Sequence, residues 1–280
     1  TIIITSPHSI MYADYFHISP GEKAAGDFGS FGHADIRVEA VYDTALVRKL
    51  SELAEAAGVP AGTLGERQPA LDHGTMLPLY FLQEVLQEVK VVRVGLAGLP
   101  PQVHYQFGQC IAAAAEALGR RVVVLASGDL SHKLLAEGPY GYAAEGPKFD
   151  AACTEALSTG DFLALLQMEP QLYEGAAECG LRSFWIMAGA LDRKAVAAEL
   201  LSYEGPFGVG YGVASFQVAG EDAGRAAGTQ FLAWRTQKLA ARKAGEDIYV
   251  RLARLSLEHY VKTGSYAALP ENLPEQMEKE

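Results

Sequence analysis

Arg121-Val122-Val123-Val124-Leu125-Ala126-Ser127-Gly128-Asp129-Leu130-Ser131-His132 is the stretch whose reading decides the fold. Its first half is apolar and β-branched, the composition of a buried strand. Small and polar residues take over at Ala126, so the strand opens at its carboxyl end into a loop that carries His132. Ligands of open α/β sheets bind beyond the carboxyl ends of the strands, where an imidazole is chemically useful. Alone, His132 reads first as a solvated loop residue. Two further histidines stand in similar places: Ile2-Ile3-Ile4-Thr5-Ser6-Pro7-His8 is another strand ending in histidine, and Leu71-Asp72-His73-Gly74 puts a third in a turn before an apolar run.

Outward from these points, strands and helices alternate. Residues 2–4, 15–18, 91–96, 122–126, 200–203 and 211–218 read as strands. Helices are expected at about 43–58 behind an Asp43 cap, 75–89, 103–118, 149–157, 161–168 and 181–191. Residues 26–32 and 61–71 read as loops. The alternation predicts an α/β fold, a central mixed β-sheet flanked by helices, with a helical C-terminal tail. Composition changes at Gly220, which divides the chain into a domain at 1–219, a linker and basic helix at 220–246, and the start of a second module at 247–280.

The net charge of −11 argues against nucleic acid and anionic membrane as partners. No apolar run reaches the length of a membrane span, and no basic n-region with a cleavage site is present. Three scattered cysteines do not form a disulfide framework. A cytoplasmic protein is expected, and a homo-oligomer. The chain opens inside an apolar strand without Met, which reads as a trimmed N-terminus.

Histidines and carboxylates gathered at one sheet edge suit a divalent ion. Two histidines and one carboxylate are the set for Fe(II) with open positions for dioxygen and substrate, and zinc accepts a similar set. The candidates are His8, His73, His132 and a carboxylate from Asp72, Asp129 or Glu178. Asp72 and Asp129 also read as groups that orient the neighbouring imidazoles. The other histidines read as structural: His33 as a loop residue, His17 on a strand facing solvent, His104 and His259 on helix surfaces. Cys110 and Cys153 read as small core residues. Cys179 stands at a helix start, where a thiolate would be stabilised. Tyr12, Tyr15, Tyr140 and Tyr142 are pocket or packing residues.

Four pieces resemble one family: Ser6-Pro7-His8, Leu71-Asp72-His73-Gly74-Thr75-Met76-Leu77-Pro78-Leu79, Ser127-Gly128-Asp129-Leu130-Ser131-His132, and the helix from Glu178-Cys179-Gly180 to Leu191. Over residues 1–218 the chain resembles the class III extradiol ring-cleavage dioxygenases. The resemblance implies Fe(II) held by two histidines and a glutamate, a catechol-like aromatic diol and dioxygen as substrates, and zinc as the other metal to expect. It implies that His8 is a metal ligand, that His132 is the catalytic acid/base, and that His73 is catalytic and contacts substrate; Tyr12, from its place near the pocket, is a further candidate for substrate binding. The family's first metal histidine lies upstream of residue 1. Laid without a gap, its glutamate position falls on Gly180, so Glu178 is the expected ligand and Cys179 the alternative, as in the related Memo-like proteins. The alternatives on this fold are a non-oxygenase binding protein and a metal-dependent hydrolase. Residues 248–264 resemble the opening helix of an AMMECR-type domain, found fused to dioxygenase-like domains in a system associated with radical-SAM proteins.

Overall fold

The computed structural model describes residues 1–268. Its elements run β1 (Ile2–Ser6), β2 (Phe16–His17), β3 (Lys23–Phe28), β4 (His33–Val41), α1 (Thr44–Ala56), β5 (Ala61–Gly62), α2 (His73–Phe81), α3 (Gln83–Leu86) and β6 (Val91–Gly95). There follow α4 (Pro101–Ala117), β7 (Val123–Ala126), α5 (Glu145–Thr159), α6 (Phe162–Gln167), α7 (Pro170–Ala176), α8 (Leu181–Ala190), β8 (Lys194–Glu204), β9 (Tyr211–Glu221), α9 (Ala227–Ala244) and α10 (Ile248–Thr263).

The fold is α/β. At its centre three parallel strands stand in the order β6-β1-β7, with Ile4 opposite Arg93 on one side and Leu125 on the other. Both outer strands run with β1, so all three carboxyl ends meet at one edge. Parallel strands buried on both faces read as continuous apolar runs, and β1 and β6 are buried at every residue. The antiparallel pairing expected within a mixed sheet lies instead in separate pairs, β3-β4 and β8-β9.

On one face, Ile3, Val92 and Val94 pack with Leu46 and Leu50 of α1, Phe107 and Ile111 of α4, and Ile186 of α8. Phe16 and Phe107 stack there at 4.6 Å between ring centres. Gly108 and Gly189 let α4 and α8 touch, since a Cβ on Gly189 would lie 1.9 Å from the Tyr105 carbonyl oxygen. On the other face, Ile2, Ile4 and Val91 meet Val38 and Ala40 of β4, and Leu71, Met76 and Leu79 around α2.

Several expectations change. Residues 26–32 are not a loop. They end one strand and turn a hairpin into β4, whose Ile36, Val38 and Ala40 alternate inward with Arg37, Glu39 and Val41 outward. The helix expected over 75–89 breaks at Leu82 into α2 and the single turn α3. Helix α7 was hidden between Met168 and Glu178 because its seven residues carry little periodicity. His17 is fully buried rather than solvent-facing. His104 is fully buried too, with Phe16 and Trp185 around its ring.

By its contacts the chain divides into a unit Thr1–Phe231 and a unit from Leu232 onward. Ala227 and Phe231, on the first turns of α9, are buried. In the second unit, Asp247 caps α10 through the Val250 N–H, and Arg254 pairs with Glu246 and Glu258. The Pro- and Glu-rich end of the expected second module, from residue 269, lies outside the described residues. No helix among the described residues is long and apolar enough to cross a membrane.

Candidate functional site

The site is built where β1 and β7 end side by side. Ser127 N–H donates to the Thr5 carbonyl at 3.1 Å, so the two exits are stitched together. Just past β1, the His8 N–H donates to Ser6 Oγ at 3.2 Å, and that hydroxyl donates to Asp72 Oδ1 at 2.5 Å. Asp72 is the N-cap of α2: its carboxylate accepts the Thr75 N–H at 3.0 Å and the Thr75 hydroxyl at 2.8 Å. His73 is therefore the first residue of a capped helix, and its place is fixed by the cap.

The consequence is a ring pair. The His8 and His73 imidazoles lie 3.9 Å apart between centres, tilted by 35°. Gly74 makes room for this approach. A Cβ there would stand 2.5 Å from Ser6 Oγ and 3.1 Å from His8 Cδ2. The Gly74 carbonyl in turn accepts the Ser127 hydroxyl at 2.8 Å, which ties α2 to the end of β7. Phe31, at the tip of the β3-β4 hairpin, meets His73 edge-on at 5.4 Å.

The third histidine arrives from β7. Gly128 has φ +150° and passes so close to the chain before α8 that a Cβ would lie 2.4 Å from Gly180 Cα. The Asp129 carbonyl accepts the N–H groups of Cys179 and Gly180, and the Asp129 N–H donates to Cys179 Sγ at 3.2 Å. Ser183 Oγ donates to the Ser127 carbonyl at 2.7 Å. Beyond this, Leu130 N–H bonds to Gly210, Ser131 N–H to Asp150, and His132 N–H to Ala176. The His132 loop is thus fastened at successive residues, not the mobile segment that its Gly and Ser content suggests. The His132 ring stacks on Tyr140 at 5.0 Å and holds Nε2 3.7 Å from Asp129 Oδ2.

Electrostatics joins the two halves. Burial, then the neighbouring His73, lowers the His8 pKa, while Asp72 and Asp129 pull it up and His132 adds to the lowering. His8 is a neutral imidazole near pH 7, a Lewis base ready for a cation.

Among the described residues, Asp129, His132 and Cys179 bring donor atoms within 4.8 Å of one another. Burial pushes the Cys179 thiol up to about 12, so the thiolate expected at this helix start is not favoured without a cation. Glu178 Oε2 accepts the Leu181 N–H at 2.6 Å at the start of α8. Burial raises its pKa, against the pull of that N–H, Arg182 and His132. Tyr12 donates to the Gly65 carbonyl, and its ring meets Tyr15 and His17, so it is bound into the chain around residues 62–67.

Imidazoles and a carboxylate suit Fe(II) or zinc, and a thiol suits zinc. The donor chemistry at this edge fits a divalent ion. Two contributors were not singled out from sequence. Phe31 belongs to a hairpin read as loop. Arg93 lies within an apolar run, and its signal was available, since a charge in a buried strand demands a partner.

Against known proteins, residues 1–214 match the family described as the catalytic LigB subunit of aromatic ring-opening dioxygenase. The protein CA_C1420 of Clostridium acetobutylicum is 35% identical over 285 residues, which cover 99% of this chain and 60% of that protein. The chain thus spans about 60% of the length of this relative. A solved structure of an uncharacterized Escherichia coli K12 protein, JW3007, aligns with a TM-score of 0.49 and 17% identity, covering 78% of this chain and 85% of that one. The chain belongs to the family of the catalytic LigB subunit of aromatic ring-opening dioxygenases.

Proposed function

We propose that this chain is a cytoplasmic, metal-dependent extradiol-type dioxygenase that opens a catechol-like aromatic diol. The observation that carries the reading is the His8–His73 ring pair where β1 ends, beside the bonded exit of β7 that leads to Asp129 and His132. Family membership supports the reaction class, and the donor chemistry supports a divalent ion. His8 is its imidazole ligand. Asp129 and Cys179 are the acidic and thiol donors that stand together with His132, while Glu178 caps α8 through Oε2. Fe(II) is the proposed ion, which would supply joint binding of dioxygen and the diol.

This chain's own residues do the rest. His132 is the proposed acid/base, and its Nε2 stands 3.7 Å from Asp129 Oδ2. His73 faces the substrate as a hydrogen-bonding ring. Tyr140 and Phe31, both largely exposed and each against one of these histidines, supply aromatic surface for a planar ring.

A second reading has one observation in its favour. The close donor triad contains Cys179, while Glu178 serves as a helix cap. That pattern suits a Memo-like metal- or partner-binding protein without oxygenase activity. The resemblance of α10 to the opening of an AMMECR-type domain fits such a branch as well. The two readings separate by experiment. The chain is loaded anaerobically with Fe(II) and oxygen consumption is followed with a panel of catechols. Uptake coupled to loss of the diol supports the enzyme. Metal binding without uptake supports the binding protein.

A further inference from the structure

Arg93 is the one fully buried arginine in the parallel sheet, its side chain only 1% exposed. A charge placed there is costly unless it is paired. Its partner is the very carboxylate that caps α2: Arg93 Nε stands 3.2 Å from Asp72 Oδ2, and Asp72 is itself 9% exposed. Arg93 Nη1 also donates to the Gln68 carbonyl at 3.2 Å, just before the loop that leads into α2. Burial alone would raise the Asp72 pKa. The hydrogen bonds from Ser6 and Thr75 together with the Arg93 charge outweigh it and hold the carboxyl below its usual range.

Asp72 thus makes four contacts at once. It takes the Arg93 ion pair, the Ser6 hydroxyl, the Thr75 hydroxyl and the Thr75 N–H. Ser6 continues to the His8 N–H, and Thr75 fixes the turn that begins at His73. Without its cation, the carboxylate would be a buried, unpaired charge, and it would leave the cap or draw in water. Each change moves both histidine backbones. Elsewhere on the face of the sheet that carries Arg93, Ile2, Ile4 and Val91 do apolar packing.

We infer that Arg93 is a positioning residue: through Asp72 it sets the separation and tilt of the His8 and His73 rings from beneath the sheet edge. It touches neither ring. The inference deepens the reading above, because ring placement matters to chemistry only if the two rings serve a metal and a substrate.

The test uses the metal-free chain and the variants Asp72→Asn, Arg93→Lys and Arg93→Met. Imidazole C–H signals of His8 and His73, assigned by single His→Gln changes, report the mutual ring-current shift of a stacked pair. Methyl signals of Val92 and Val94 report the sheet, and thermal melting reports the fold. The expected result is that Asp72→Asn and Arg93→Met move both ring signals toward free-histidine positions while the valine methyls stay. Arg93→Lys keeps the charge and should give an intermediate shift. Ring signals that stay in place in a folded variant overturn the inference. If Arg93→Met does not fold, Asp72→Asn and Arg93→Lys decide the matter alone.

Zinc affinity, measured by competition with a chromophoric chelator, is the second readout. Loss of outer partners of a ligand costs roughly 10- to 100-fold in affinity, and that is the fall expected for Arg93→Met, partly recovered in Arg93→Lys. Displaced rings in a chain that never binds zinc count against the metal reading and for the clamp. Unmoved rings with weakened zinc binding count against the clamp and leave the metal reading standing.

Discussion

His8 and His73 are separated by a long stretch of sequence, yet their rings lie 3.9 Å apart because one carboxylate, Asp72, holds both segments. Ser6 brings the end of β1 to it and Thr75 brings the start of α2. A side chain that looks like a routine helix cap is therefore the joint of the site.

The N–H groups of the His132 loop donate to the Ala176 and Gly210 carbonyls and to the Asp150 carboxylate, so its ring is presented rather than floating. In metal-loaded protein, His132→Ala is expected to retain the ion and lose turnover by roughly a hundred- to ten-thousand-fold, the usual worth of acid–base help. His8→Ala is expected to release the ion. Metal content and oxygen uptake, measured on the same samples, check both. An ion lost with His132 and kept without His8 would reverse the two roles.

Glu178 and Cys179 are adjacent but face different tasks. Glu178→Gln keeps an oxygen for the Leu181 N–H and should leave metal affinity unchanged. Cys179→Ala removes the thiol donor that stands beside Asp129 and should bind the metal more weakly than Glu178→Gln does. Chelator competition on the two variants decides which neighbour is the ligand.

His104 gives the fold a pH dependence with a definite sign. Burial lowers its pKa from 6.5 to about 4, against the pull of the Pro100 carbonyl. The unfolded chain takes up a proton at the higher value and the folded chain resists, so this contribution to stability is complete above pH 6.5 and is lost as pH falls toward 4. The shift is worth about 3 kcal/mol at most. Denaturant titrations at pH 7 and pH 4 should show the loss, and His104→Gln should reduce it.

Gly128 is a close-approach glycine at φ +150°, with no room for a Cβ beside Gly180. Gly128→Ala must push the Asp129 loop away from the start of α8. A loss of about 1–3 kcal/mol is expected from the crowding alone. The bond from Asp129 N–H to Cys179 Sγ should open as well, visible as faster amide exchange at Asp129 than in the parent chain.

Much of the α/β core was legible in the sequence. Apolar runs at 2–4, 91–96 and 122–126 marked the parallel strands, and Asp43 and Asp161 stand as the caps read from the sequence; Asp72, read only as a neighbour of His73, is a cap as well. The hairpin was not legible, because Gly26, Gly29 and Gly32 outweighed the period-two alternation of residues 36–41. His17 and His104 were read as surface groups, since a lone polar residue in an apolar pattern carries no mark of which side it faces. The histidine positions were readable from strand ends. Their joint was not: it depends on Arg93, which pairs with Asp72 across the fold and leaves no local pattern.

The central claim is that the His8 edge holds a divalent ion that serves an aromatic diol. The most direct measurement is iron stoichiometry on the anaerobically loaded chain and on His8→Ala, followed by oxygen consumption with catechols. About one iron per chain and one dioxygen consumed for each diol lost are expected, and neither in the variant. Iron bound equally well without His8, or bound iron that consumes no oxygen with any catechol, would contradict it.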